Sequence, residues 1–257
     1  GEFCYFDSYQ DAPDSQPEAI GGYLPLSKVY SFNPVPDTLS ADKVQLVYGV
    51  QANLFTEYIP TPEHAEMMIY PRILALAEVA WSAPSVKNYD DFHVRALKEV
   101  EALKAEGYHP FELKNEIGNR PGADQPVQHL AVGKKVAYGP DAAYYPGYSA
   151  GGDSALVDGV IGGWTYGDRR WQGFIDKKRM DVTIDMEKET EIHSVGADFM
   201  QVCGPEVFMP SEVIISVSND GKEFTELKRM EHKVVKDDKV TFINFGWEGN
   251  AKARYIR

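Results

Sequence analysis

The chain has 257 residues, which at roughly 150 residues per domain makes one large domain or two ordinary ones. Hydrophobic residues are 43% and charged residues 25%, a balance that excludes wholesale disorder. The formal charge of −13 divides unevenly, net −10 over residues 1–128 and net −3 over residues 129–257. That sign disfavours phosphate backbones and anionic lipid, so no nucleic acid is expected as a partner. No run approaches 18 apolar residues, so no membrane insertion is expected. The first residues, Gly1-Glu2-Phe3-Cys4-Tyr5, lack the basic and apolar regions of a signal peptide, so no leader is expected in this stretch. Cys4 and Cys203 fit no metal spacing and read as small buried hydrophobes rather than disulfide halves. Aromatic residues reach 12%, 15 of them Tyr and 12 Phe, and offer flat faces for packing or for sugar rings.

In chain order, residues 2–7 read as an apolar strand. A stretch punctuated by Pro13, Pro17, Gly21, Gly22 and Pro25 follows. Residues 44–55, rich in β-branched and aromatic side chains, read as a second buried strand. A helix is expected over 62–81, with Pro62 in its first turn, Glu63 and Glu66 at its positive end, and a kink or restart at Pro71. Met67, Tyr70, Leu74, Ala77 and Trp81 mark its expected buried face. A further helix covers 90–106, with Phe92, Ala96, Val100 and Leu103 on one side and Gly107 as its stop. Buried strands followed by helices point to a parallel α/β sheet or barrel. Two strands cannot close a barrel of eight, so residues 1–107 read as the last part of a larger (β/α)8 TIM barrel.

Residues 108–130 form a Pro- and Gly-bearing polar connector. Beyond it, runs at 180–186, 192–199, 212–218 and 239–245 alternate in β fashion, and Asn219-Asp220-Gly221-Lys222 marks a tight turn. This spacing predicts a β-sandwich over residues 131–257. Lys177-Lys178-Arg179 reads as a solvated loop charge.

Polar residues stand at the C-terminal ends of the two apolar segments: Tyr5 and Asp7 on the first, Asn53 and Glu57 on the second. In α/β barrels that end carries the active site. The alternatives are that Asp7 caps a turn and that Glu57 is a solvated charge. Carboxylates that accept from hydroxyls, beside Tyr and Phe rings, suit a neutral polyol ligand.

Four stretches together carry a resemblance: Tyr5-Phe6-Asp7-x-Tyr9-Gln10; residues 19–30, with Gly21-Gly22-Tyr23-Leu24-Pro25-Leu26; residues 49–59, with Asn53-Leu54-Phe55-Thr56-Glu57; and Tyr70-Pro71-Arg72 with residues 75–82. Over residues 3–120 the chain resembles the end of a glycoside hydrolase family 20 β-N-acetylhexosaminidase barrel. The resemblance implies barrel strands 7 and 8 and the final helices. It also implies a catalytic role for Tyr5, as donor to the acetamido oxygen of the substrate, and substrate binding by Asp7, Phe55 and Glu57. Phe55 stands where the family usually has Trp. Family 20 departs from the two-carboxylate scheme: the 2-acetamido oxygen attacks the anomeric carbon, with retention, while a Glu protonates the leaving group. That Asp-Glu pair belongs to an earlier strand, so the fragment alone is expected to be inactive. No cofactor is implied for catalysis. The implied partners are N-acetylhexosamine-containing glycans and the upstream remainder of the catalytic domain, and the implied location is periplasmic, secreted or cell-surface.

Residues 155–159, Trp171-Gln172-Gly173-Phe174, residues 181–186, 210–213 and 217–224, and Ala253-Arg254-Tyr255-Ile256-Arg257 resemble a coagulation factor 5/8 type C, or discoidin-like, domain. The resemblance implies an eight-stranded jelly-roll β-sandwich, here lacking its last strand. Trp164, Tyr166, Arg169 and Arg170 form its candidate carbohydrate-binding loop: rings stack on a pyranose face and Arg donates to hydroxyls. Trp171 reads as core. Asp158 either ligates a structural Ca2+, with backbone carbonyls completing the shell, or simply sits in an Asp-Gly turn. The enzyme reading is weighed against a non-catalytic carbohydrate-binding or structural module.

Overall fold

The computed structural model describes residues 2–176, 179–237 and 239–257; Lys177 and Lys178, of the loop charge noted above, lie outside them. The chain divides into two compact units, Gly1–Asn119 and Arg120–Arg257. No helix among the described residues is long and apolar enough to cross a membrane.

Among the described residues the first unit holds four α-helices: α1 (Leu26–Tyr30), α2 (Pro62–Ile69), α3 (Arg72–Trp81) and α4 (Tyr89–Ala105). Thr61 starts α2, its hydroxyl accepting from His64 N at 3.2 Å. Asn88 starts α4 by accepting from Asp91 N at 3.1 Å; such side chains satisfy the free N–H groups of a first turn. Helix α4 ends as its sequence demands. Gly107 adopts φ +92°, and the bonds Tyr108 N to Leu103 O and Gly107 N to Lys104 O close a Schellman cap. The core gathers Phe6, Leu24, Leu26, Val29, Tyr30, Leu76, Phe92, Val100 and Leu113.

Two expectations fail here. The face expected on 62–81 is not the most deeply buried one: α2 already buries His64 and Met68, and Met67 and Leu74 are only partly buried against the core. Helix α3 buries Arg72, Ala75, Leu76 and Val79, while Trp81 is 91% exposed. Residues 2–7 and 44–55 do not form strands either. They meet in one parallel bridge, Tyr5 with Asn53, through Phe6 N to Asn53 O and Asn53 N to Cys4 O, both 2.8 Å. Extended segments gain independent stability from further strands beside them. Ala41–Leu46 instead winds into a 3-10 helix with Leu46 60% exposed.

The second unit is built on one antiparallel sheet of five strands: β1 (Lys135–Tyr138), β2 (Val182–Gln201), β3 (Glu212–Ser218), β4 (Thr225–Glu231) and β5 (Thr241–Ile256). Their order is β1-β2-β5-β3-β4. Of the eight strands implied by resemblance, these five form among the described residues. The expected strands at 180–186 and 192–199 are parts of one long β2, which pairs with β5 from Ile184↔Ile256 to Gln201↔Thr241. The register shifts between Asp185 and Thr190, where Glu187 takes φ +69°. Asp185 holds this irregularity. It accepts from Glu187 N at 2.7 Å and takes both arms of Arg254 at 2.9 Å, and that guanidinium first of all lowers its pKa to about 2. Met186, Ile192, Ala253 and Ile256 form the core beneath.

Within the first unit, residues 108–119 return to the loops near the N-terminus. The Asp11 carboxylate accepts from Ile117 N and Gly118 N, both at 2.8 Å. Burial, and then the charge of Asp11, push Glu116 up to about 7. An unfolded Glu ionises near 4.5, so between those values the folded chain keeps a proton that the unfolded chain has lost, and stability falls as pH rises. Glu116→Gln should therefore raise the denaturant midpoint at pH 8, with the gain vanishing at pH 4; a gain independent of pH would contradict this assignment.

Candidate functional site

The first candidate site is organised by Arg72, which opens α3 directly after Pro71. Its guanidinium is fully buried, and all five N–H donors end on backbone carbonyls. Nε and Nη2 reach Met68 O at 3.1 and 2.6 Å, Nη1 reaches Ser8 O at 2.9 Å and Leu24 O at 3.2 Å, and Nη2 also donates to Phe6 O. The cation lies 5.0 Å from the centre of the Phe6 ring. Burial lowers its pKa to about 9, with the Asp7 carboxylate acting in the opposite sense, so it stays charged at neutral pH. The backbone on both sides of Asp7 is thereby fixed.

Around this turn the structure brings the sequence-nominated residues together. Tyr5 and Phe55, 39% and 50% exposed, stack with ring centroids 6.0 Å apart and planes 25° from parallel. Asp7 is only 6% exposed, and its Oδ1 has no hydrogen-bond partner. Burial raises its pKa; its own backbone N–H opposes this, the exposed Glu57 adds to it, and Arg72 counters it. A buried acceptor without a donor is costly, and a ligand hydroxyl is the kind of group that satisfies it. The arrangement offers ring faces, a phenol and carboxylates: binding chemistry for a neutral polyhydroxy molecule. Sequence reasoning placed Arg72 inside a motif but gave it no role. The available signal was a cation set directly behind a proline, in a helix whose apolar face must be buried.

The second candidate site is the loop at 162–171 of the second unit. Trp171, expected in the core, is half-buried. It packs against Phe242 at 5.9 Å and against the Arg120 guanidinium at 5.5 Å, and its indole donates to Gly163 O at 3.3 Å. Only glycine fits at 162, since a Cβ there would lie 2.1 Å from the Trp171 ring. Arg120 ties the assembly down by donating to Gly162 O at 2.9 Å and pairing with Asp198 at 3.0 Å. Trp164 stands edge-on to Phe242 at 5.7 Å, so part of its surface serves packing. Tyr166 meets Tyr148 at 6.2 Å. Arg170 spends Nη1 on Ala123 O at 2.7 Å, while Arg169 is exposed with φ +66°.

Asp158, the candidate Ca2+ ligand, sits in a turn. Its Oδ1 accepts from Val160 N at 2.7 Å.

Comparison with known proteins separates the two units in the same way. Residues 1–84 match the model of the glycosyl hydrolase family 20 catalytic domain, and residues 141–257 match that of the F5/8 type C domain. A β-hexosaminidase of Porphyromonas gingivalis is 49% identical over 88 residues, which is 34% of this chain and 11% of that protein. A β-N-acetylhexosaminidase of Cellulomonas fimi is 32% identical over 100 residues, 39% of this chain and 20% of that protein. Among solved structures, a family 20 exo-β-N-acetylglucosaminidase from Vibrio harveyi in complex with N-acetylglucosamine is 28% identical. It covers 44% of this chain and 18% of its own, with a TM-score of 0.38. The chain thus spans a small part of the length of the relatives it matches. Residues 1–84 are thus similar to the glycosyl hydrolase family 20 catalytic domain, and residues 141–257 to the F5/8 type C domain.

Proposed function

We propose that this chain supplies sugar-pocket residues to a β-N-acetylhexosaminidase that removes terminal non-reducing GlcNAc or GalNAc from glycans. The observation that carries this reading is the Tyr5–Phe55 ring stack beside a buried Asp7 oxygen that lacks a donor, all within the family 20 match. In the proposed complex, Phe55 walls the acetamido methyl. Tyr5 donates its phenolic hydrogen to the acetamido oxygen, orienting it toward the anomeric carbon that it attacks. Asp7 and Glu57 accept from ring hydroxyls; such charge-assisted bonds are stronger than neutral ones. Water then opens the cyclic intermediate and the configuration is retained. General-acid protonation of the leaving oxygen falls to the Asp-Glu pair of an earlier strand, outside residues 1–257 in this proposal.

Two measurements test the reading. The longer protein should hydrolyse a chromogenic N-acetyl-β-glucosaminide, and the purified 257-residue chain should not, because a positioned acid contributes roughly 100- to 10,000-fold. Turnover by the 257-residue chain would sink the claim that the acid lies elsewhere. For the second unit, we assign glycan contact to the loop of Trp164, Tyr166, Arg169 and Arg170. Replacing Trp164 and Tyr166 together by Ala should abolish retention on N-acetylhexosamine-bearing glycan arrays, and undiminished retention would refute the loop assignment.

A further inference from the structure

We propose that Arg72 is a positioning residue for the sugar pocket: its buried guanidinium fixes the carbonyls on either side of Asp7 and supplies the counter-charge for that carboxylate. This deepens the reading above and rests on it. The geometry distinguishes Arg72 from a generic buried cation. Its five donors reach four carbonyls, and two of those, Phe6 O and Ser8 O, belong to the residues immediately flanking Asp7. The other two, Met68 O and Leu24 O, anchor the fork to the end of α2 and to the loop before α1. The turn bearing Asp7 is therefore tied to two separate pieces of the core through one rigid planar group. Lysine could not do this, since an ammonium has three donors on a flexible stem, whereas the guanidinium presents five in a fixed plane.

The charge completes the argument. The groups that act on the Asp7 carboxylate are its own backbone N–H, Glu57 and Arg72. Burial first of all, and Glu57 after it, disfavour the ionised form, while the backbone N–H and, more weakly, Arg72 favour it, so loss of the cation would push the Asp7 carboxyl further up. Hydrogen bonds to a hydroxyl remote from the reacting centre act on ground and transition states alike, and their loss appears in KM rather than kcat.

The test uses the longer protein, with kcat and KM measured against pH on a chromogenic N-acetyl-β-glucosaminide and the fold of each variant followed by circular dichroism. Arg72→Met should raise KM about 10-fold with kcat changed by less than about 3-fold, and should move the acid limb of kcat/KM to higher pH. Arg72→Lys should raise KM but leave the acid limb in place. In an Asp7→Asn background, Arg72→Lys should add no further rise in KM, because the two act as one unit. Folded variants with unchanged KM and acid limb, or effects that simply add in the double variant, would overturn the proposal. Should Arg72→Met fail to fold, the Lys variant and the double variant decide. Absence of hydrolysis by the unsubstituted protein would instead bring down the functional reading, and this proposal with it.

Discussion

A cation taken wholly out of water is tolerated only when its donors are satisfied and its charge is answered. Arg72 meets both conditions with backbone carbonyls, and the carboxylate of Asp7 provides a counter-charge. Much else in the first unit follows from that one group. It fastens α3 to the end of α2 across Pro71, holds the loop before α1, and fixes the turn in which Phe6 reaches Asn53 and Tyr5 reaches Phe55. Remove the fork and four carbonyls lose buried donors at once, while the pocket residues lose a common reference frame.

The second unit solves a comparable problem differently. The pairing of its long strands β2 and β5 shifts register where Asp185 grips Arg254 and the backbone of Glu187. Its candidate loop is pinned by Arg120 between Gly162 and Asp198, with Trp171 and Phe242 beside it. In both units an arginine converts flexible loop backbone into a fixed presentation of aromatic rings. The sugar contacts proposed for both units would need such a presentation, since ring stacking and hydroxyl bonds are individually modest.

What could be read from the residues, and what could not, divides by the range of the interaction. The helices at 62–81 and 90–106 were legible because their signals are local: Pro62 opens the first, Pro71 breaks it, and Gly107 stops the second. The buried face was not, because apolar residues occupy both sides of this segment and periodicity alone does not choose between them: His64, Met68, Arg72, Ala75, Leu76 and Val79 share the buried side. The segments at 2–7 and 44–55 read as strands from composition, yet strand formation depends on neighbours that composition does not contain. Strands β1 and β4 escaped notice because they are the sheet edges. Charges such as Lys135, Glu226, Lys228 and Arg229 guard such edges and mask the alternation. Tyr5, Asp7, Phe55 and Glu57 were found through motif resemblance. Arg72 lay in the same motif, but its role appears only once its side chain is seen to fold inward.

The central claim is that a sugar takes up the hydrogen bond missing at Asp7 while Arg72 holds the turn beneath it. A crystal structure of the longer protein with bound N-acetylglucosamine tests this most directly. The account predicts an Asp7 carboxylate oxygen within hydrogen-bond distance of a ring hydroxyl, the acetamido group between Tyr5 and Phe55, and the Arg72 fork unchanged on Phe6 O and Ser8 O. A sugar bound elsewhere, with Asp7 turned to a protein donor, would contradict it.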